Sequence, residues 1–309
     1  MFVWNVDPNL FHLPDWLLGG RGIRYYGVLY ALALMGGYYF WQWQMLRGGR
    51  KREVAEQFLT VGVIAVIAGA RLGHCLFYEP ERYLKNPIDI LKFWEGGLAS
   101  HGTTIALIGT LIWFARKHTM PVREILDRIS ISIAWGATLI RLGNFMNSEI
   151  VGRVTDGPLK VKFPRHDRGE LVPCDTCGQV AKDVCDYVTT AQGDVCYSFA
   201  HVPWRHPSQL YEAAMGVFIF IVLWALDRKY GEDRPMGILG FSFLLLYFTG
   251  RFSVEYVKEF QTRQTGLTMG QILSLPFMVV GAVGLYYSLK KGEKTPPPPP
   301  HEAAEPAAS

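Results

Sequence analysis

What most limits the fold of this chain is a set of seven apolar runs, each long enough to cross a hydrocarbon core of about 30 Å, which takes roughly 20 helical residues. They fall near residues 25–45, 56–78, 97–115, 124–146, 207–227, 236–256 and 268–289. In lipid every backbone N–H and C=O must find its partner inside the segment, so runs of this length span as helices. Half of the chain is hydrophobic, at 50% of 309 residues, and that content is concentrated in the runs. Residues 152–206 and the tail after Leu289 are polar. The amino terminus, MFVWNVDPNLFHLPDW, lacks the basic start, short apolar middle and small-residue cleavage site of a signal peptide, so the first run reads as a permanent span.

The loops set an orientation. Arg47, Arg50, Lys51 and Arg52 follow the first run, Arg116, Lys117 and Arg123 the third, Arg228, Lys229 and Arg234 the fifth, and Lys290, Lys291 and Lys294 the seventh. The alternate loops hold fewer basic residues and are offset by acids such as Glu79, Glu81, Asp89 and Glu95. Positive charge is retained on the cytoplasmic side of short loops. The net charge of +4 is therefore explained by topology, and no nucleic-acid partner is expected. The expected architecture is an all-α integral membrane protein, with seven transmembrane helices and a small periplasmic head. Its parts are a periplasmic amino-terminal segment (1–24), spans one to four (25–151), the head (152–206), spans five to seven (207–289) and a disordered Pro-rich cytoplasmic tail (290–309).

Four of the five cysteines lie in the head, where Cys174, Cys177, Cys185 and Cys196 form a C-x2-C-x7-C-x10-C pattern, while Cys75 sits alone in the second span. Two disulfides suit an oxidising compartment and permit three connectivities. A tetrahedral zinc site suits the C-x2-C pair but not the wider second pair. Free or redox-active thiols complete the alternatives.

Ionisable side chains inside a bilayer span are costly and call for a partner or a polar cavity. Arg71, Arg141 and Arg251 all lie within spans. A structural ion pair or a snorkelling side chain is the alternative reading of each, and the three together favour a shared polar pocket. Tyr247, Arg251 and Glu255 stand at i, i+4 and i+8, on one face of the sixth span. Arg141, Asn144 and Asn147 share a face at the end of the fourth. The planar fork of arginine suits a phosphate, and in a membrane protein a phosphate most simply means a phospholipid headgroup. His101, opening the third span after a Gly-rich approach, reads either as a general base or as an interfacial histidine satisfied by hydrogen bonds. His74 and His206 rank behind it. Tyr26 reads as an interfacial anchor or as a donor to a headgroup.

The run RLGNFMNSEIVGRVT, residues 141–155, resembles the prolipoprotein diacylglyceryl transferase pattern, approximately G-R-x-G-N-F-x-N-x-E-x-x-G-R. Its neighbours agree in order: YYGVLY at 25–30, GARLGHCLFY at 69–78, EGGLASHG at 95–102, HPSQLYE at 206–212, Y-x3-R-x3-E at 247–255 and TMGQILS at 268–274. The resemblance covers about residues 20–290. It implies an enzyme of the bacterial inner membrane that moves the diacylglyceryl group of phosphatidylglycerol onto the lipobox cysteine of a prolipoprotein. A thioether forms and glycerol phosphate is released. By that similarity Arg141 and Arg251 bind the phosphate and stabilise the leaving charge, and His101 is the base for the incoming thiol. Tyr26, Asn144, Asn147, Glu149 and Gly152 fall at positions where family members are sensitive to change. Tyr247 and Glu255 complete the sixth-span triad, Glu255 as an orienting partner of Arg251. No metal and no other cofactor is implied.

Two features depart from the family pattern. Thr103 follows Gly102 where a second glycine is common, and residues 158–205 look like an insertion into the usual short head. Two rival readings compete with this one. A transporter or channel for an anionic solute also uses buried arginines, but predicts inverted repeats, and the sequence shows no such symmetry. A retinal-type receptor needs a lysine inside the last span, and LTMGQILSLPFMVVGAVGLYYSL has none.

Overall fold

A computed structural model describes residues 2–12, 14, 22–91, 99–167, 170–173, 185–190, 193–198, 201–259 and 266–304; for residues 100–101 and 170–198 it describes the backbone only. Each of the seven apolar runs contains a helix among the described residues. The long helices are α1 (Tyr25–Arg47), α2 (Arg52–Phe77), α3 (Ser100–Lys117), α4 (Val122–Met146), α5 (Ser208–Tyr230), α6 (Ile238–Val254) and α7 (Met269–Lys291). Of these, α2, α4, α5 and α7 are long and apolar enough to cross a membrane, and α6 is a shorter apolar helix. Large apolar side chains such as Met35, Ile64, Ile105 and Val279 stand exposed at 61–69%, a distribution that only a lipid environment makes favourable. The chain is an integral membrane protein of helices.

The polar segments are not purely helical, which corrects the all-α expectation. Strand β1 (Phe2–Val3) pairs in parallel with β4 (Val161–Lys162), which pairs antiparallel with β8 (Trp204–Arg205). Strands β2 (Asn9–Phe11) and β3 (Ile23–Arg24) form a two-stranded ribbon. Strands β5 (Glu170–Pro173), β7 (Gly193–Ser198) and β6 (Cys185–Thr190) form an antiparallel sheet in that order. Cys196 of β7 stands opposite Val172 and Tyr187, and Cys185 opposite Ser198. Cys174 and Cys177 lie outside the described residues. Strands this short carry little periodic signal and exist only through partners distant in sequence.

The chain divides into two compact units. The first comprises Met1–Gly37, Ile133–Val222 and Phe243–Ala282. Phe145, Val151, Val161 and Phe163 form a buried cluster there, with Trp4, Met146 and Leu210 packed against it. Trp4 and Phe145 stack with ring centroids 4.4 Å apart. Phe248 of α6 stacks on Phe277 of α7, also at 4.4 Å. That contact lies one residue beyond Pro276, which sits inside α7.

The second unit comprises Tyr38–Ser132, Leu223–Ser242 and Val283–Ser309. Here α2 and α3 approach so closely that a Cβ on Gly102 would collide with the Gly69 carbonyl and lie 2.7 Å from the Gly73 Cα. Small residues at such crossings are how helices pack without a hydrophobic drive between them. Arg71, 5% exposed, donates from Nε to the Ile90 carbonyl at 2.9 Å and lies over the Tyr83 ring at 5.1 Å. It ties down the connection after α2, which accounts for one of the three intraspan arginines structurally.

The same unit holds a buried charge network. Arg50, Arg128 and Arg234 are each 1% exposed. Arg128 donates to Glu124 at 2.9 Å and to Glu232 at 3.1 Å, and Arg234 donates to Asp227 at 3.0 Å and to Gln44 at 3.1 Å. Asp127 accepts from the backbone N–H groups of Gly237 at 2.6 Å and Gly240 at 2.8 Å, capping the amino end of α6 with a buried carboxylate. Several loop cations that set the expected orientation are thus also structural ions. The tail, expected as a disordered extension, is placed through Ala304. Glu302 accepts from Arg50 at 2.8 Å and lies 2.7 Å from His118 Nδ1, while the backbones of Lys51 and Ala304 bond to those of Glu302 and Gly49.

Candidate functional site

The site is built at the carboxyl end of α4, within the first unit. After Met146 the chain does not run on; it folds back over the helix end. Asn147 N donates to the Gly143 carbonyl at 3.1 Å, Ser148 N to Phe145 at 3.0 Å and Glu149 N to Asn144 at 2.9 Å. Ser148 and Ile150 both adopt φ of 55°, a conformation costly for a β-branched residue. The surroundings hold it there. Ser208 Oγ donates to the Ile150 carbonyl at 2.8 Å, and Gln209 Nε2 donates to the Glu149 carbonyl at 2.6 Å. These are the first two residues of α5, both fully buried.

Gly152 continues the turn into a ladder. Its N–H donates to the His206 carbonyl at 2.9 Å, and Arg153 N donates to Val257 at 2.8 Å. A Cβ on Gly152 would stand 2.5 Å from the His206 carbonyl oxygen and 2.7 Å from that of Val257. Both are backbone atoms that cannot swing away, so only glycine fits. This loop joins the end of α4, the approach to α5 and the segment after α6.

Those three segments meet at one carboxylate. Glu212 of α5 is buried, with a side chain 2% exposed, and three cations surround it. Arg141 Nε is 3.0 Å from Oε2, Arg251 Nη1 is 3.7 Å from Oε1, and Lys258 Nζ is 2.9 Å from Oε1. The Lys258 contact is an aligned hydrogen bond, whereas Oε2 accepts none among the described residues. Three cations about one anion leave an excess of positive charge. Burial is the largest influence on the Lys258 ammonium and pushes its pKa down, with Arg141 and Arg251 adding to the effect and Glu212 opposing it.

A polar chain extends from the arginine. Arg141 Nη1 reaches Asn144 Oδ1 at 3.4 Å, Asn144 Nδ2 reaches Glu149 Oε2 at 3.5 Å, and Asn147 Nδ2 donates to Glu149 Oε1 at 3.1 Å. The Tyr26 ring lies against Gly143, where an added Cβ would come within 2.8 Å of it. Tyr26, Arg141, Asn144, Asn147, Glu149, Gly152 and Arg251 are therefore gathered around one loop and one carboxylate. The expected convergence of the two arginine-bearing faces is present, and Glu212 joins them.

Other expectations fare differently. Glu255 does not orient Arg251: its carboxylate lies against Gly270 at the start of α7, 2.7 Å from where a Cβ there would stand, and no hydrogen bond reaches its Oε2 among the described residues. Tyr247 stacks on Phe243 and meets Phe248 edge-on, with ring centroids 5.3 Å away in both cases. His101 is the second residue of α3, in the other unit, and its side chain lies outside the described residues.

Sequence reasoning missed Glu212 and Lys258. Glu212 was detectable, because it is an acid in the first turns of an apolar helix and the rule that flagged the arginines applies to it equally. Lys258 lies beyond the last turn of α6, so no helical spacing pointed to it.

The family model for prolipoprotein diacylglyceryl transferases matches residues 16–287. The phosphatidylglycerol–prolipoprotein diacylglyceryl transferase of Tolumonas auensis is 38% identical over 297 residues, covering 94% of this chain and 99% of its own. The Vibrio cholerae serotype O1 enzyme of that name is 34% identical, covering 93% of each chain. The Proteus mirabilis enzyme is 34% identical, covering 94% of this chain and 95% of its own. The matched family model and the likeness along nearly the whole length agree with a helical membrane body: the chain belongs to the prolipoprotein diacylglyceryl transferase family.

Proposed function

We propose that this protein transfers the diacylglyceryl group of phosphatidylglycerol to the thiol of a prolipoprotein lipobox cysteine, in the first step of lipoprotein maturation. The observation that carries the reading is the pairing of Arg141 and Arg251 across one shared buried carboxylate, that of Glu212. In the reaction the cysteine sulfur forms a bond to the glycerol carbon, and the bond from that carbon to the phosphate oxygen breaks. Glycerol phosphate leaves with the electron pair, and the thiol proton passes to a base. Preorganised guanidinium groups in a water-poor site favour the charge gathering on the leaving phosphate. A free thiol titrates at about 8.5, so a base or a positive field must supply the thiolate. His101 is our choice of base, on the strength of its place in EGGLASHG.

Asn144, Asn147 and Glu149 position the Arg141 side chain and the lipid beside it, Gly152 holds the turn, and Tyr26 and Tyr247 flank the lipid. Seven spans, a periplasmic amino terminus and a cytoplasmic carboxyl terminus in the bacterial inner membrane follow from the distribution of loop cations. Residues 152–206 then form a periplasmic head, whose cysteine-bearing part we assign to local stability. Cys174→Ser or Cys185→Ser is expected to weaken the head and leave transfer in place.

The test is direct. Purified protein is incubated with phosphatidylglycerol and a lipobox peptide, and the peptide is weighed by mass spectrometry. A mass gain of one diacylglyceryl group supports the assignment. Unmodified peptide from folded protein would sink it and favour transport of an anionic solute.

A further inference from the structure

We propose that Lys258 is a third cationic ligand of the headgroup phosphate, held by Glu212 when the site is empty and handed to the phosphate when lipid enters. The proposal rests on the transferase reading above. Lys258 makes the aligned hydrogen bond to Glu212, at 2.9 Å, while Arg141 and Arg251 approach the same carboxylate without one. The ammonium has three donors. Only the one to Glu212 is used among the described residues, although the side chain is 12% exposed. A phosphate oxygen is a strong acceptor for the remaining donors of a cation.

The backbone of Lys258 is fixed by the loop that carries the family pattern. Gly152 forms a bridge with it, Arg153 Nε donates to its carbonyl at 2.8 Å, and Arg153 N donates to Val257 at 2.8 Å. The loop that shapes the Arg141 environment therefore also places the lysine. A compact charge on a flexible stem can exchange one acceptor for another by rotation, unlike the planar forks beside it. The competing role is mere neutralisation of Glu212, and the two roles predict different double variants.

The experiment uses the full-length protein in nanodiscs and measures the KM for phosphatidylglycerol in the peptide assay, with inhibition by glycerol phosphate as a second readout. The informative pair is Glu212→Gln/Lys258→Gln and Glu212→Gln/Lys258→Arg, in which no carboxylate is stranded and the glutamine keeps a hydrogen-bond acceptor among the arginines where alanine would leave none; Tm of both is measured so that folded proteins are compared. The arginine version is expected to show a KM at least tenfold lower, and inhibition by glycerol phosphate at correspondingly lower concentration. Equal values in the two would overturn the proposal and leave Lys258 as a counter-ion. Failure of the transferase reading is separate: wild-type protein would then leave the peptide unmodified.

Discussion

Arg141 Nε stands 3.0 Å from Oε2 of Glu212, and the carboxylate is shut away from solvent. The pair predicts opposite failures for its two members. Arg141→Ala leaves Glu212 with Lys258 and Arg251, so the protein should insert and express normally while transfer is abolished; Arg251→Ala should behave alike. Glu212→Ala strands three cations around an empty position, and removing one partner of a buried pair costs about 3–5 kcal/mol. A marked fall in Tm in detergent is expected for Glu212→Ala alone. Full transfer activity in either arginine variant contradicts the phosphate clamp.

Gly152→Ala tests the turn. The added methyl would meet two backbone carbonyl oxygens, of His206 and Val257, so relief requires moving the ladder itself. Overpacking of this kind costs about 1–3 kcal/mol. Because the ladder also carries Lys258, we expect the KM for phosphatidylglycerol to rise along with the loss of Tm. A variant with wild-type KM and Tm would show that the segment yields freely.

These contrasts mark what the sequence made legible. Helices were readable because length and apolarity are local properties, and every apolar run contains one. The arginine clamp was half readable. Residues 141 and 251 stood out as charges inside spans, but their common partner did not, because attention fell on spacing within α6. That spacing brought Glu255 onto the Arg251 face, yet an i+4 relation fixes only direction along a helix. Gly270 offers Glu255 a berth on α7 instead. Strands β1 and β4 were beyond reach, since Phe2 pairs with Val161 and neither segment shows alternation of its own. The docking of Glu302 on Arg50 was hidden for a similar reason, because a Pro-rich composition describes a tail without a binding site for it.

The proposed role of Lys258 predicts an alkaline limit for lipid binding. Its pKa is pushed down from 10.5, first by burial and then by Arg141 and Arg251. The charged groups facing it are Glu212 on α5, Arg141 on α4 and Arg251 on α6. Between the lowered folded value and 10.5, the unfolded chain holds more protons at this position than the folded one, so the lysine's contribution to stability rises with pH across that window. Lipid binding runs the other way, because the cation is lost as pH climbs through the folded value. We expect the KM for phosphatidylglycerol to rise on the alkaline side at a pH below the ordinary lysine range, and Lys258→Arg to remove that limb. A limb unchanged in Lys258→Arg assigns it to another group.

Glu302 predicts a stability effect separable from catalysis. Its carboxylate satisfies Arg50, which is 1% exposed, and sits against His118, while the tail backbone bonds to Gly49 and Lys51. Arg50 retains only longer contacts, to Glu124 and to the His118 carbonyl, both at 3.4 Å, so Glu302→Ala leaves a buried guanidinium short of a close acceptor, at a cost of about 1–3 kcal/mol. Deletion of residues 295–309 also removes the backbone bonds to Gly49 and Lys51, so it should lower Tm by at least as much as Glu302→Ala. The tail lies beyond the matched residues 16–287, and the residues it bonds to, Gly49, Arg50, Lys51 and His118, have no assigned part in the reaction, so kcat at permissive temperature should stay at the wild-type value in both variants. A Tm unchanged in Glu302→Ala would mean that the tail only rests on the helices; a fall in kcat without a fall in Tm would tie the strap to the reaction itself.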